Sequence, residues 1–297
     1  MSKTLIKTSD YLAKPGKPFS LKKFPTDEED RTITKEEGEA LIKQNIEKLA
    51  ELQEKLYAGN RHSVLIILQA MDAAGKDSTL KNVMTGLNPS GVKVANFKVP
   101  SSTELDHDYF WRHNAELPAR GEIGIFNRSH YENVLVTKVH PEYILKENLP
   151  GIESVKDIGK EFWEQRYKQI NRFEKTLAEN GTLILKFFLH VGKEEQKKRL
   201  LARIDDPTKN WKFAAADLAE RALWDKYQQA YQDAIEHTSV DEAPWYIIPA
   251  DDKWYMRLLV STVIRAELEA LNLQFPVISQ QTKAALQEAK KQLLNEK

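Results

Sequence analysis

Cysteine is absent from the 297 residues. That removes disulfide scaffolds, thiolate metal sites and cysteine nucleophiles from consideration. A surplus of either charge is absent too: Lys+Arg and Asp+Glu each number 44, for a net charge of zero. Nucleic acids and anionic membranes call for a large basic excess, so neither is an expected partner. Any anion binding has to come from local clusters. No apolar run is long enough to span a bilayer, and the opening "MSKTLIKTSDYLAKPGKPFS" lacks a signal-type apolar stretch. The expected compartment is the cytoplasm. No internal repeat, low-complexity tract or composition shift marks a second domain.

What is present is alternation. Short β-branched runs at 63–68, 92–99, 122–128, 182–191 and 244–251 read as strands, and those with continuous apolar residues as strands buried on both faces. Helical patterns lie between them. One starts at a capping box, Thr34 with Glu37, and carries Leu41, Ile42, Ile46, Leu49, Leu52 and Leu56 to a stop at Gly59. Others are expected at 75–87, 102–117, 129–139, 155–180, 193–206, 215–237 and 252–271. Strand–helix alternation implies right-handed crossovers and a three-layer α/β/α fold around a mostly parallel five-stranded sheet. The whole chain, 1–297, reads as one such domain. Residues 1–34 read as an extended surface arm, 140–151 as a loop, 193–215 as a lid and 276–297 as a tail helix.

The stretch "LIILQAMDAAGKDSTLK" (65–81) carries the chemistry. It passes from buried strand to helix through a loop close to the phosphate-binding pattern G-x-x-x-x-G-K-[ST]. Ala70 stands where the first Gly is usual, and Asp77 where the hydroxyl is usual. In parallel sheets ligands bind at the carboxyl ends of strands, where the next helix aims free N–H groups and its positive dipole end. The small residues Ala73, Ala74 and Gly75 would let phosphate oxygens approach those amides, and Lys76 adds a charge. Ser78 is one residue late for the hydroxyl position, about 100° around a helix. A carboxylate at Asp72 repels phosphate unless a cation or proton lies between, so Asp72 is expected to ligate magnesium or to orient an attacking phosphate.

Two other segments point to the same anion. "IGIFNRSHYE" (123–132) ends a strand with Asn127, where an acidic residue is usual, and Arg128, which can fork onto phosphate oxygens. "KKRLLARIDDPTKNWKF" (197–213) places Arg199 and Arg203 four residues apart on a helix, with Lys209 and Lys212 past the break at Pro207. A mobile lid bearing cations has this composition; Trp211 would anchor it or fill a core gap. Arg112 is a further phosphate or nucleotide contact. His107 and His113 read as structural, His130 and His140 as ordinary loop or helix residues, and Asp251 and Asp252 as cap residues.

Taken together, "MDAAGKDSTLK", "GEIGIFNRSHYE", "RIDDPTKNWKF" and "APWYIIPADDKWYMRL" resemble, in order and over about residues 30–275, the polyphosphate kinase 2 family. The resemblance implies a P-loop kinase fold related to thymidylate kinase, with a helical lid. It implies reversible, magnesium-dependent phosphoryl transfer between inorganic polyphosphate and a nucleotide, with manganese as a possible substitute. Asp72 and Lys76 match the loop's essential residues, Arg128 the second motif's arginine, and Arg199 and Arg203 its lid. Asn127, Arg128 and Glu132 fall at the nucleotide. The "FNRSxYE" form is similar to the subgroup that phosphorylates AMP as well as ADP, with GMP and GDP as further candidates. Lys76, Lys81, Arg112, Arg128, Arg199, Arg203, Lys209 and Lys212 could line a polyanion channel in a neutral protein, with Ala73, Ala74, Gly75, Asp77 and Ser78 closing on the phosphates. The arm and tail helix suit a homo-oligomer. Two alternatives compete: an ATP-dependent nucleoside monophosphate kinase, and a non-catalytic nucleotide or polyphosphate binder.

Overall fold

Thr34 begins the first long helix as the capping box predicts. Its Oγ1 accepts from Glu37 N at 3.3 Å, and Glu37 Oε2 accepts from Thr34 N at 3.0 Å. Helix α1 (Lys35–Gly59) stops at Asn60, which takes the left-handed conformation at φ 46. In the computed structural model, which describes residues 6–29 and 31–296, the strands are β1 (Leu12–Ala13), β2 (Ser63–Ala70), β3 (Val92–Asn96), β4 (Ile123–Asn127), β5 (Thr182–His190) and β6 (Trp245–Pro249). The helices after α1 are α2 (Lys76–Val83), α3 (Ser102–Leu105), α4 (Trp111–Asn114), α5 (Val136–Val139), α6 (Lys160–Glu179), α7 (Lys193–Asp205), α8 (Ala216–Ala222), α9 (Trp224–Thr238), α10 (Lys253–Ala270) and α11 (Gln280–Asn295).

The sheet order is β1-β6-β5-β2-β4-β3. The strands β2 to β6 run parallel, as expected. The sixth strand is a departure: Leu12 and Ala13 of the arm pair antiparallel with Tyr246 and Trp245 of β6. A two-residue strand leaves too short a pattern to read, and Ser239 Oγ, which donates to Ala13 O, ties it down from a distance of over two hundred residues. Residues 1–5 of the expected arm lie outside the described part.

Every residue of β2 is buried. The chain leaves β2 for β3 at one edge, returns to β4, then crosses to β5 on the other side. The strand order therefore reverses beside β2, and the carboxyl ends of β2, β4 and β5 surround the crevice where ligands bind in such sheets. Several helices are shorter than the sequence suggests. The run 102–117 is two separate turns, α3 and α4, and 129–139 is a 3-10 turn His130–Asn133 followed by α5. The helix expected at 215–237 breaks at Leu223 into α8 and α9, and 140–151 contains a 3-10 segment, Pro141–Glu147. Periodicity over a long window blurs such breaks. None of the α11 residues is buried. Among the described residues, no helix is long and apolar enough to cross a membrane.

Candidate active site

Ala70 is the last residue of β2 and does not take a left-handed φ, so the missing Gly is no loss. The left-handed positions of the loop are Ala73 (φ 59) and Gly75 (φ 111). Gly75 is required there: apart from its φ, an added Cβ would sit 3.3 Å from Met256 Cε. Among the described residues, the N–H groups of Ala73, Gly75, Lys76, Asp77 and Ser78 have no partner and remain available to an anion. The Ala74 amide differs from the expectation, because it donates to Met71 O and closes the turn. Lys76 Nζ folds back to Ala70 O at 3.1 Å. Burial in the loop pulls its pKa below the ordinary lysine value, while Asp72 opposes that shift. The Ser78 and Thr79 hydroxyls both donate to Gly75 O at 3.0 Å, which stiffens the start of α2.

The second motif arrives beside the loop through the β2–β4 pairing. Arg128 follows β4 at φ 64, a conformation costing a non-glycine residue roughly 1–3 kcal/mol. Its N–H donates to Leu68 O of β2. Its guanidinium lies 3.5 Å from Asp72 and 3.4 Å from Glu132, so two carboxylates hold it across the crevice. Asn127 Nδ2 donates at 2.8 Å to both Asp77 Oδ1 and Asn96 Oδ1. Its buried Oδ1 is left without a partner. The loop aspartate and strand-end asparagine therefore form a bonded pair where hydroxyl and carboxylate are usual.

Arg199 is placed differently from the lid cation of the sequence reading. It is buried at 9% exposure, and its donors are already used. Nη1 reaches Ala74 O at 2.7 Å and Ala73 O at 3.3 Å, Nη2 reaches Ala250 O at 2.7 Å and Asp251 O at 2.8 Å, and Nε reaches Glu195 at 2.8 Å. It buckles the loop to the end of β6 from below. One turn earlier on α7, Gln196 Nε2 donates to Asp72 O at 2.9 Å, and Gln196 Oε1 accepts from Arg221 at 2.8 Å. Sequence reasoning missed Gln196; its i, i+3 spacing from Arg199 was the available signal.

Arg203 turns to the lid and the start of α8, to Lys212 O at 3.1 Å and Asp217 at 3.5 Å. Lys209 pairs with Asp206, and Lys212 lies over the Trp211 ring. Trp211 is 77% exposed, so it fills no core gap. Lys81 is exposed at the end of α2, one turn beyond Asp77 on the same face. Asp252 caps α10 as expected, whereas Asp251 accepts from Gly192 N and Thr26, tying the arm to β5 and β6.

Next to Arg128 opens a cavity of about 290 Å³, lined among others by Phe97, Lys98, Arg112, Arg128, Glu132 and Lys146. Arg112 donates to Lys98 O at 2.8 Å and stands over the Phe97 ring. A larger opening of about 760 Å³ beneath the arm involves no loop residue. Among the described residues, no group of three or more acidic or histidine side chains could hold a metal alone. Magnesium at phosphate sites takes one or two carboxylates, with substrate oxygens and water completing its shell. The half-buried Asp72 carboxylate fits that requirement, and the unpartnered Asn127 Oδ1 is a neutral oxygen at the neighbouring strand end.

Residues 32–276 match the sequence description "Polyphosphate kinase 2 (PPK2)". The chain belongs to the polyphosphate kinase 2 family. It is 48% identical to an ADP-polyphosphate phosphotransferase of Rhodopseudomonas palustris, over 97% of this chain and 99% of that one. It is 47% identical to an AMP/ADP-polyphosphate phosphotransferase of Meiothermus ruber, over 90% and 94%. The crystal structure of polyphosphate kinase 2 from Arthrobacter aurescens TC1 superimposes with a TM-score of 0.82 at 41% identity, covering 91% of this chain and 93% of that one. The family match starts just before α1 and ends before α11, whereas the likeness to the Rhodopseudomonas palustris protein runs over nearly the whole chain.

Proposed function

We propose that this protein is a polyphosphate-dependent nucleotide kinase that moves a phosphoryl group reversibly between inorganic polyphosphate and ADP or AMP. One observation carries the reading: Arg128 both faces Asp72 of the phosphate loop and lines the adjoining cavity. A donor phosphate gripped by the loop and an acceptor phosphate reaching out of the cavity would meet at its guanidinium. The free amides and Lys76 hold the donor end. Arg128 neutralises the moving group, while Asp72 and Glu132 fix its direction. Phosphoryl transfer of this kind needs positioning and charge neutralisation and no protein nucleophile. Asp72, with Asn127 Oδ1, would hold Mg2+, or Mn2+ in its place. When bound, the ion supplies further charge neutralisation on the phosphate oxygens. The names of the relatives, phosphotransferases acting on ADP and on AMP/ADP, and the Asn127–Arg128–Glu132 sequence support both acceptors. A cytoplasmic homo-oligomer is part of the same reading; the exposed Leu286, Leu293 and Leu294 of α11 suit contact with another copy.

The test is ATP formation from ADP, and ADP formation from AMP, with purified protein, polyphosphate and Mg2+ but no ATP. No product from either acceptor refutes the proposal. Product only when ATP replaces polyphosphate identifies an ordinary monophosphate kinase instead.

A further inference from the structure

The segment between Arg128 and Glu132 is held from behind by a group of charges with no route to solvent. Glu174 of α6 and Lys186 of β5 are fully buried and lie 2.6 Å apart. Lys186 Nζ gives its other protons to Tyr131 OH at 2.8 Å and Thr238 O at 2.7 Å. Glu174 Oε1 accepts from Tyr131 OH at 2.8 Å and lies 3.1 Å from His130 Nε2. A carboxylate only accepts, so His130 carries its proton on Nε2. Ser129 completes the grip by accepting from Gln69 of β2 at 3.0 Å and from Tyr131 N. Ser129, His130 and Tyr131, the three residues after Arg128, are each 0% exposed.

Such a pair is weak evidence for stability, because well-packed apolar residues of similar volume commonly serve as well or better. What distinguishes this one is its address. Its hydrogen bonds go to the residues that connect Arg128, held at a left-handed φ, to Glu132, which orients the Arg128 guanidinium. Strain of that kind persists only where the surroundings over-determine it.

We infer that the buried Glu174–Lys186 pair, acting through His130 and Tyr131, positions Arg128 for phosphoryl transfer. Glu174, Lys186, His130 and Tyr131 are positioning residues that touch no substrate. The inference rests on Arg128 working in the transfer site.

The test replaces the pair together, Glu174→Leu with Lys186→Met, so that neither charge is left alone. The expected enzyme is folded, with KM for polyphosphate little changed and kcat down by about tenfold or more, the size of effect that misplacing a transfer group produces. The same double replacement in an Arg128→Ala background should then cost less than about twofold, because residues acting as a unit are non-additive. Should the paired variant fail to fold, Tyr131→Phe keeps the ring against Trp245 and removes the bridging hydroxyl; its kcat should also fall at unchanged polyphosphate KM. A folded variant with full kcat, or a loss that repeats undiminished without Arg128, overturns the inference. Full activity of Arg128→Ala alone would instead remove the site reading on which it rests.

Discussion

Replacing Arg199 by Ala separates a structural buckle from a phosphate ligand. Its guanidinium satisfies the carbonyls of Ala74 and Ala250, both out of solvent, as well as those of Ala73 and Asp251. An unsatisfied buried carbonyl costs about 1–3 kcal/mol. Loss of two, with the outer pair falling back on water, amounts to roughly 2–6 kcal/mol. For a chain of this size a loss of 1 kcal/mol lowers Tm by about 2 °C, so a drop of roughly 4–12 °C is expected. Scanning calorimetry without ligand reads it, with urea unfolding as a cross-check. Arg199→Lys should recover only part of the loss, since one ammonium cannot span carbonyls on both the loop and β6. A ligand-free Arg199→Ala protein within about 1 kcal/mol of wild type would refute the buckle. If its polyphosphate affinity alone collapsed, Arg199 would have to swing to the donor, as the sequence reading had it.

Three more outcomes follow from particular contacts. Lys76→Ala should abolish turnover while leaving Tm nearly unchanged, because its one bond in the free protein is to Ala70 O; retained turnover would remove the loop assignment. Gly38→Ala should destabilise by about 1–3 kcal/mol as an overpacked site, since the new Cβ would fall 2.2 Å from the Trp254 ring; unchanged urea midpoints would contradict that packing. Burial depresses the pKa of His113 from 6.5 to about 2 and that of His190 to about 4. Both fold neutral and take up protons on unfolding. Their contribution is therefore complete above pH 6.5 and lost as pH falls toward those values, at up to about 1.4 kcal/mol per pH unit for each. Urea midpoints from pH 7 to pH 5 should fall in wild type and fall less in His113→Gln; parallel slopes would refute the assignment.

The reach of sequence reasoning differed from element to element. Thr34 and Glu37 announced α1, because capping is settled within four residues. The uninterrupted apolar run of β2 announced a central strand, because a strand covered on both faces has no polar side to show. That Lys76 and Arg128 stand at the carboxyl edge of the sheet was legible because each follows a strand whose place in a parallel sheet follows from alternation alone. His130 was not legible: read as an ordinary loop or helix residue, it is fully buried against Glu174.

The sequence alone determined the strand–helix alternation, the order of the parallel sheet's building blocks and the loop that faces its carboxyl edge, since these depend on local periodicity and on turns a few residues long. Tertiary structure alone decided what the charged side chains do. Arg199 and Arg203 share a helix face, yet one lies under the loop and the other turns to the lid and the start of α8. Glu174 and Lys186, which no local pattern singles out, are fully buried and paired. A side chain's partners are set by which distant segments the crossovers bring against it, and no local pattern encodes that meeting.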